Sequence, residues 1–376
     1  MPTILVKRID WLLVFFILPI ITFGLVTMRS FVSEEGAGVF FNKQIIWVAI
    51  SLVVFFTFSF IDFRFLKRTE VLVGIFLFFS AILLALFVTG KVSHGAQSWF
   101  DFGGFSFQPV DMVKLVLVLI LAKYFSRRHV EIRNFKHIFI SGFYAFIPFT
   151  LVLLQPDFGS AMIIFFIWIG MVFVSGLSKM HLFMVFTSAM LIFAGLWFFV
   201  FAPYQKARIA NFLNPLADIH GSGYNVYQST IAVGSGQIIG KGLGFGTQAR
   251  LQFLPEPQSD FIFAAFSEEW GFVGSVLVVI LYGLVIWRIL VIASLGATNF
   301  EMLFGMGIAI FFMSHIVINI GMNLGIFPVT GIPLPFMSYG GSHLITEFMG
   351  LGILMSMRRY GRSVHRDDIN NEFFGA

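Results

Sequence analysis

The sequence predicts an all-α polytopic membrane protein with about ten transmembrane helices, and three observations lead to that fold class. First, 58% of the 376 residues are apolar and only 11% are charged, whereas soluble domains are about 25% charged. Second, apolar runs of about 20 residues, the length that crosses a bilayer as a helix, recur along the chain. Third, Lys and Arg concentrate in alternate loops. The chain has no cysteine, which excludes disulfides and thiolate chemistry.

The spans are placed on the successive apolar runs of a single integral membrane domain, residues 1–376. The first run follows Lys7 and Arg8 and is too long for the core of a signal peptide, so it is a span. The eighth is longer than a bilayer requires, which predicts a tilted helix or one that begins outside the membrane. The predicted spans lie near 11–28, 44–61, 71–89, 109–125, 137–154, 159–176, 181–202, 261–287, 302–327 and 344–357.

Orientation follows from the basic residues. With the N-terminus in the cytoplasm, the inward segments hold most of the Lys and Arg, including Arg64, Lys67, Arg127 and Arg288. We therefore expect a protein of the plasma membrane with both termini in the cytoplasm and a cytoplasmic tail at 358–376. The loops 90–108 and 203–260 then face outward.

The loop 203–260, between the seventh and eighth spans, is the only long connection, and loops of this length in a compact bundle are usually functional. It contains the glycine-rich run Gly234–Gly246. A phosphate-binding P-loop is excluded, because Ser235 and Gly242 stand where that motif needs Gly and Ser or Thr. The glycines instead predict turns or a re-entrant backbone. The chain has no convincing internal repeat, which argues against a transporter built from paired halves.

Three acids of the stretch from Arg250 to Gly271 lie in or against an otherwise apolar run. Asp260 follows two prolines and directly precedes an apolar run, while Glu268 and Glu269 lie about two turns further on. An ionisable residue at membrane depth costs at least about 2.5–3.5 kcal/mol on insertion scales and is a functional hypothesis by default. The alternative for Asp260 is a helix N-cap. The roles of Glu268, Glu269 and Glu347 stay open.

Two polar groups inside predicted spans have helical spacing. Asp111 and Lys114 are three residues apart, which predicts either a self-neutralising pair or a charged wall of a cavity. His315, Asn319 and Asn323 fall on one helix face. Interhelical hydrogen bonds are the favoured interpretation of that stripe, and the lining of a substrate groove is the alternative.

Three further features lie at the ends of spans. Asp157, after Gln155-Pro156, is expected to follow a turn and cap a helix. Arg208 can bind phosphate in a bidentate manner or simply contact a lipid headgroup. The run Pro328–Leu344 ends in Gly340-Gly341-Ser342, whose backbone N–H groups can meet an anion at the start of the last helix, unless Ser342 only caps that helix.

Several segments together resemble the shape, elongation, division and sporulation family of cell-wall polymerases. The segments are PFMSYGGS, QPDFGSA, GYNVYQSTIAVGSG, GTQARLQFLPE and SDFIFAAFSEEWG, and they occur in order over about residues 10–360. GTQARLQFLPE and the short N-terminus are more similar to the elongation branch than to the division branch.

The resemblance implies a peptidoglycan glycosyltransferase that polymerises lipid II, with a class B penicillin-binding protein as partner. It implies that Asp260 is the essential carboxylate, and that Asp111, Lys114 and Trp99 correspond to the family's acid, lysine and outer-loop tryptophan. Gln228, Ser338, Gly340 and Gly341 lie in its motifs and are assigned to substrate binding. The family usually has Glu at position 111 and often His at position 258, where this chain has Asp and Gln.

The mechanism expected from these residues uses Asp260 as a general base on the acceptor sugar hydroxyl, with undecaprenyl pyrophosphate as the leaving group. Lys114 and Arg208 are candidates to hold the pyrophosphate. A divalent cation such as Mg²⁺ or Mn²⁺ is an alternative source of charge, although no clustered ligand set demands one. Two alternatives from other classes are a lipid II flippase and a non-catalytic scaffold of the wall-synthesis complex.

Overall fold

The computed structural model of the chain is a bundle of helices with one small antiparallel sheet. It describes residues 9–30, 37–89, 91–93, 96–101, 106–127, 136–176 and 222–372, and scattered positions between 187 and 206. The helices are α1 Trp11–Ser30, α2 Ala37–Phe60, α3 Thr69–Thr89, α4 Pro109–Ser126, α5 Lys136–Leu154, α6 Phe158–Val174, α7 Ser222–Ser235, α8 Thr247–Arg250, α9 Ile262–Ser294, α10 Asn299–Asn323 and α11 Gly341–Glu372. A 3₁₀ helix spans Phe63–Lys67, and strands β1 Lys91–Ser93, β2 Ala96–Asp101 and β3 Ser106–Phe107 pair in chain order.

The predicted spans agree with these helices to within a few residues at most boundaries. Six of the described helices are long and apolar enough to cross a membrane. The seventh predicted span, near 181–202, lies largely outside the described residues. The largest boundary differences are at the second span, which begins at Ala37, at the eighth, which ends at Ser294, and at the last, which continues to Glu372 instead of ending near 357.

Helix α4 lies at the centre of the bundle, in contact with α3, α6 and α10. Apart from Asp111, Lys114 and Lys123 toward its ends, its sequence is apolar on every face, which is the pattern of a helix surrounded by other helices. Leu117, Val118 and Leu121 are completely buried. By contrast, α5 exposes Phe139, Phe143 and other large apolar side chains along one face. Such a face is suited to lipid, since the interior of a bilayer does not penalise apolar surface.

The long eighth span is explained by a kink. Gly271 has φ 68° and ψ −164°, so α9 is two helical pieces joined at a non-helical residue. The glycine-rich segment 236–246 packs against this kink and replaces the helical hydrogen bonds that it breaks. The segment donates two backbone N–H groups to carbonyl oxygens before the kink, Lys241 to Glu268 (3.0 Å) and Gly242 to Glu269 (3.0 Å). The helix after the kink donates two in return, Phe272 to Gln237 (2.8 Å) and Val273 to Ile238 (3.1 Å).

Glycine is required where the two backbones touch. A Cβ atom on Gly240 would lie 2.1 Å from the carbonyl oxygen of Glu269, and one on Gly271 would lie 2.3 Å from the nitrogen of Gly240. Irregular backbone is tolerated at membrane depth only where it is buried in protein or lines water. The predicted re-entrant backbone therefore agrees with this packing. The predicted loop 203–260 is not wholly irregular, because it contains α7 and α8.

Ion pairs join several elements at one end of the bundle. The guanidinium of Arg288, near the end of α9, donates to the carboxylate of Asp10 at 2.9 and 2.7 Å, and Arg358 on α11 also donates to it. Lys67 pairs with Glu301 at 2.8 Å. The start of α1, the end of α9 and the distal part of α11 therefore lie on one side, as the predicted topology requires.

Candidate active site around Asp260

Asp260 lies just before α9, and its backbone is held by two side chains of α10. Its carbonyl oxygen accepts hydrogen bonds from Asn319 Nδ2 at 3.0 Å and Asn323 Nδ2 at 3.1 Å. The N-cap position of α9 is Phe261, which makes no side-chain cap bond. Asn323 Oδ1 instead accepts from the backbone N–H of Ala264 at 3.0 Å, satisfying one of the free donors of the first helical turn. Asp260 thus does not occupy the capping position, and it is half-buried.

The segment before α11 passes directly over Asp260. A Cβ atom on Gly331, whose φ is +70°, would lie 3.4 Å from Asp260 Oδ2, so this turn runs beside the carboxylate. The next carbonyl groups accept from α10: Ile332 O from Asn319 Nδ2 at 2.7 Å, and Pro333 O from His315 Nδ1 at 3.3 Å. The polar stripe on α10 therefore bonds mainly to the non-helical segments before α9 and α11, and only the bond between Asn323 and Ala264 is the interhelical kind that was predicted.

The two residues before Asp260 are bonded to the same segment. Ser338 Oγ donates to the carbonyl oxygen of Ser259 at 2.6 Å, and the backbone N–H of Tyr339 donates to the carbonyl oxygen of Gln258 at 2.8 Å. Gln44 on α2 supports the segment from the other side, donating to Ser338 O at 3.0 Å. The backbone of 258–260 is consequently fixed by neutral donors from α10 and from the segment preceding α11.

A buried ionic cluster lies between α4 and α11. Lys114 Nζ donates to Asp111 Oδ1 at 3.1 Å, and both side chains are only 2% exposed. Ser342 Oγ donates to Asp111 Oδ2 at 3.4 Å. His343 lies between two acids, with Nδ1 3.7 Å from Asp111 Oδ1 and Nε2 2.7 Å from Glu347 Oε1. The predicted Asp111–Lys114 pair is formed, and Ser342 contacts that pair.

Glu268 and Glu269 hold the glycine-rich segment against the kink. Glu268 is completely buried, and its Oε1 accepts from Lys241 Nζ at 2.6 Å and from Thr247 N at 2.9 Å. Glu269 Oε1 accepts from Gly244 N at 3.0 Å. Both acids, whose roles the sequence left open, therefore anchor the loop.

The other predicted substrate-binding residues that the structure describes lie on the small sheet, on α7 and at the start of α11. Trp99 is half-buried in β2, opposite Lys91 of β1, and Gln228 is half-buried on α7. The N–H of Gly340 donates to Gln44 Oε1 at 3.3 Å. A Cβ atom on Gly341 would lie 2.4 Å from Trp47, so this glycine permits close packing. Arg208 lies outside the described residues.

Two further expectations concern caps and metals. Asp157 is the N-cap of α6 and accepts from Ser160 N at 2.9 Å, as predicted. Within the described part of the chain, no group of three or more His, Cys, Asp or Glu side chains is arranged to hold a metal ion.

Three residues that shape the site were not identified from the sequence: Gln44, Tyr282 and His343. His343 and Glu347 are four residues apart in an apolar helix, a signal that could have identified His343. Gln44 and Tyr282 bond to the backbone of a distant segment; the hydroxyl of Tyr282 donates to Pro335 O at 2.6 Å. Their sequence neighbourhoods carry no comparable signal.

Comparison with known proteins identifies the family. Residues 7–363 match the sequence profile of the FtsW, RodA and SpoVE cell cycle proteins. The chain belongs to this family. This confirms the resemblance predicted from the dispersed motifs.

Relatives and solved structures agree. The chain is 35% identical over 364 residues to stage V sporulation protein E of Bacillus subtilis (strain 168), covering 94% of this chain and 98% of that protein. It is 39% identical over 285 residues to the peptidoglycan glycosyltransferase MrdB of Escherichia coli (strain K12), covering 76% and 77%.

Among solved structures, a chain of a peptidoglycan synthase complex that coordinates polymerisation and crosslinking superposes with a TM-score of 0.79 at 31% identity, covering 94% of this chain and 98% of that chain. The rod shape determining protein RodA of Thermus thermophilus gives a TM-score of 0.69 at 29% identity, covering 93% and 96%. The fold is thus that of a multi-pass membrane protein, as predicted.

Proposed function

We propose that the protein is a peptidoglycan glycosyltransferase that polymerises lipid II during cell elongation, with Asp260 as the general base. The observation that carries the proposal is the environment of Asp260. It is a half-buried acid at the start of a buried helical segment, and its backbone is fixed by Asn319, Asn323 and the segment around Ser338. A catalytic group held by packed neighbours does not have to be ordered during the reaction.

The proposed reaction joins two sugars with the loss of pyrophosphate. The 4-hydroxyl oxygen of the incoming lipid II attacks the anomeric carbon of the growing glycan. The bond from that carbon to the pyrophosphate oxygen breaks, and its electron pair leaves with undecaprenyl pyrophosphate. Asp260 accepts the hydroxyl proton, a contribution of about 10²–10⁴-fold for general base catalysis. Because pyrophosphate is already a stable anion, one carboxylate is sufficient, unlike the pair that most glycoside hydrolases need.

Cations are proposed to hold the departing pyrophosphate. Arg208 and Lys114 are the candidates, together with a divalent ion such as Mg²⁺ or Mn²⁺. Lys114 is paired and almost fully buried, so this role requires a rearrangement that exposes its Nζ atom. Trp99, Gln228 and the turn containing Ser338, Gly340 and Gly341 are the proposed contacts for the remainder of the substrate.

Orientation and partner complete the proposal. The elements that carry Asp10, Arg288 and Arg358 meet at one end, and the loops predicted to face inward carry most of the Lys and Arg. This supports cytoplasmic termini in a bacterial plasma membrane and an outward-facing Asp260. The similarity to a chain of a peptidoglycan synthase complex supports a class B penicillin-binding protein as partner.

The test is a gel assay for glycan strands made from purified lipid II, with the protein alone and with its penicillin-binding partner. Asp260→Asn should abolish product while its thermal unfolding stays that of the parent protein. The matched control is Asp62→Asn, an acid at the start of the 3₁₀ helix, which should polymerise normally. Normal product from Asp260→Asn would exclude the general base, and headgroup translocation in liposomes without product would favour a flippase.

A further inference from the structure

A strained residue lies in the segment that covers Asp260. Phe336 has φ +61°, a left-handed conformation that is uncommon for residues other than glycine and is an outlier for bulky ones. Its side chain is 2% exposed and packs against Phe312 and Phe348, with ring centroids 5.1 and 5.6 Å away. Strained backbone persists only when its surroundings fix it.

The group that fixes this backbone is a buried acid. Glu347 is completely buried on α11, and its Oε2 accepts from the backbone N–H of Phe336 at 3.0 Å. The preceding carbonyl, Pro335 O, accepts from the hydroxyl of Tyr282 at 2.6 Å. A side chain that takes the N–H and another that takes the carbonyl therefore hold the strained peptide from both sides.

His343 is the basic partner of Glu347. Its Nε2 lies 2.7 Å from Glu347 Oε1, which leaves Oε2 to accept from Phe336. The other ring nitrogen faces Asp111, the partner of Lys114. The two acids and two basic side chains form one buried cluster. A buried acid without its partner would be costly, so the cluster keeps Glu347 in place as an acceptor.

The residues that flank Phe336 are the ones that contact the chain at Asp260. Ser338 and Tyr339 bond to the carbonyl oxygens of Ser259 and Gln258. On the other flank, Asn319 donates to both Ile332 O and Asp260 O. The path from Glu347 to Asp260 thus runs through the strained residue Phe336, along the chain to Ser338 and Tyr339, and through their hydrogen bonds to the two residues before Asp260.

We propose that Glu347 is a positioning residue for Asp260: by holding the left-handed backbone of Phe336, it places the segment whose bonds to Gln258 and Ser259 fix the chain that carries the carboxylate. The inference rests on the proposed function only for its activity readout, because the position of residue 260 can be measured without any reaction.

The position is measured by cysteine labelling, since the chain contains no cysteine. Asp260→Cys is made in the parent protein and together with Glu347→Ala, and the rate of reaction with a charged methanethiosulfonate reagent is measured in detergent. The matched control is Glu301→Ala. Glu301 is also a buried acid, 4% exposed, that accepts from a backbone N–H, of Ala297, and pairs with a basic side chain, Lys67.

We expect Glu347→Ala to change the labelling rate of Cys at position 260 by at least about 5-fold and Glu301→Ala to change it by less than about 2-fold. Equal changes in both, or no change with Glu347→Ala, would overturn the proposal. If Glu347→Ala does not fold, Tyr282→Phe replaces it, because it removes the other bond to the strained peptide while keeping the ring. An unchanged rate in that variant would likewise overturn the proposal.

The activity readout separates positioning from simple stability. Glu347→Ala should lower kcat for lipid II polymerisation at least about 10-fold with KM within about 3-fold, because positioning acts on the reacting group. Glu347→Gln, which keeps an oxygen acceptor for the Phe336 N–H, should restore at least about a third of kcat. Loss of activity in proportion to thermal stability, equal to that of Glu301→Ala, would contradict the role. If Asp260→Asn stayed active, the proposed function would fail, yet the labelling arm would still decide this inference.

Discussion

Asp10 and Asp260 both lie just before a long helix, at α1 and α9, but their surroundings differ. Asp10 is 4% exposed, and its carboxylate is bound by Arg288, Arg358 and the N–H of Leu13. At Asp260 the bonds from Asn319 and Asn323 are to the backbone carbonyl, and the residue is half-buried, with its carboxylate beside the turn at Gly331.

The difference separates a structural carboxylate from a candidate catalytic one. At Asp10 the folded chain uses the charge itself to join α1, α9 and α11. At Asp260 it fixes the main chain with neutral amides and hydroxyls. A base must have a lone pair that the substrate can reach, and Asp260 is only half-buried, whereas Asp10 is almost fully buried.

The Asp111–Lys114 pair gives the largest expected effect on stability, because both of its charged side chains are buried. Lys114→Met removes one partner of a buried pair and should cost about 3–5 kcal/mol. The double change Asp111→Asn with Lys114→Met should recover most of that loss. Thermal unfolding in detergent measures both.

The same two variants test the proposed pyrophosphate contact. If the double variant regains stability but its KM for the lipid donor stays raised, Lys114 has a binding role in addition to its structural one. A Lys114→Met protein as stable as the parent would show that the pair contributes little to the fold.

Asp10→Asn should give the next largest effect. It should lower the free energy of unfolding by about 1.5–3 kcal/mol, because charge-assisted hydrogen bonds are lost. Burial tends to raise the pKa of Asp10, but the hydrogen bond from Arg288 and the charge of Arg358 outweigh it, so the net pKa is lowered. A carboxylate whose pKa is lowered on folding stabilises the protein at pH values above its unfolded pKa, about 3.9. That stabilisation is lost as the pH falls through the lower pKa of the folded state.

Thermal unfolding from pH 7 to 3 measures this. The parent should lose stability relative to Asp10→Asn as the pH falls below about 4, so the two curves converge. Polymerisation at pH 7 should be changed much less than by Asp260→Asn. A constant difference between the two proteins across this pH range would contradict the assigned role of Asp10.

Asp157 is an aspartate that caps a helix and has one hydrogen bond to a distant residue. It caps α6 and also accepts from Gln108 Nε2 at 3.2 Å. Asp157→Ala should cost about 1 kcal/mol, as for other N-caps, while Asp157→Ser, which can still cap, should recover part of it. Chemical denaturation monitored by intrinsic tryptophan fluorescence distinguishes the two; identical stability of the parent and both variants would exclude a capping contribution.

Asp62 should give the smallest effect. Its ion pair with Arg64 has side chains that are 33% and 58% exposed, and such surface pairs contribute at most about 1 kcal/mol. We expect Asp62→Asn to change the melting temperature by less than about 2 °C, with polymerisation unchanged. A larger loss would show that an exposed aspartate at a helix start also joins elements in this fold.

Much of the architecture could be predicted because the signals are local. The apolar runs located the spans, the order Pro156-Asp157 indicated a turn and a cap, and the spacing of His315, Asn319 and Asn323 indicated one bonding face. Dispersed motifs identified the family. The spans, the cap and the bonding face depend on neighbours within a few residues, where helical geometry fixes which side chains share a face.

What the sequence left open was decided by contacts between distant segments. The cap of α9 comes from Asn323, 59 residues from Ala264, and the bond from Ser342 to Asp111 spans 231 residues. Composition marked Glu268, Glu269 and Glu347 as costly in a membrane, but not which donors satisfy them. A buried acid must find a partner, and only the packing of the whole chain determines which partner is within reach.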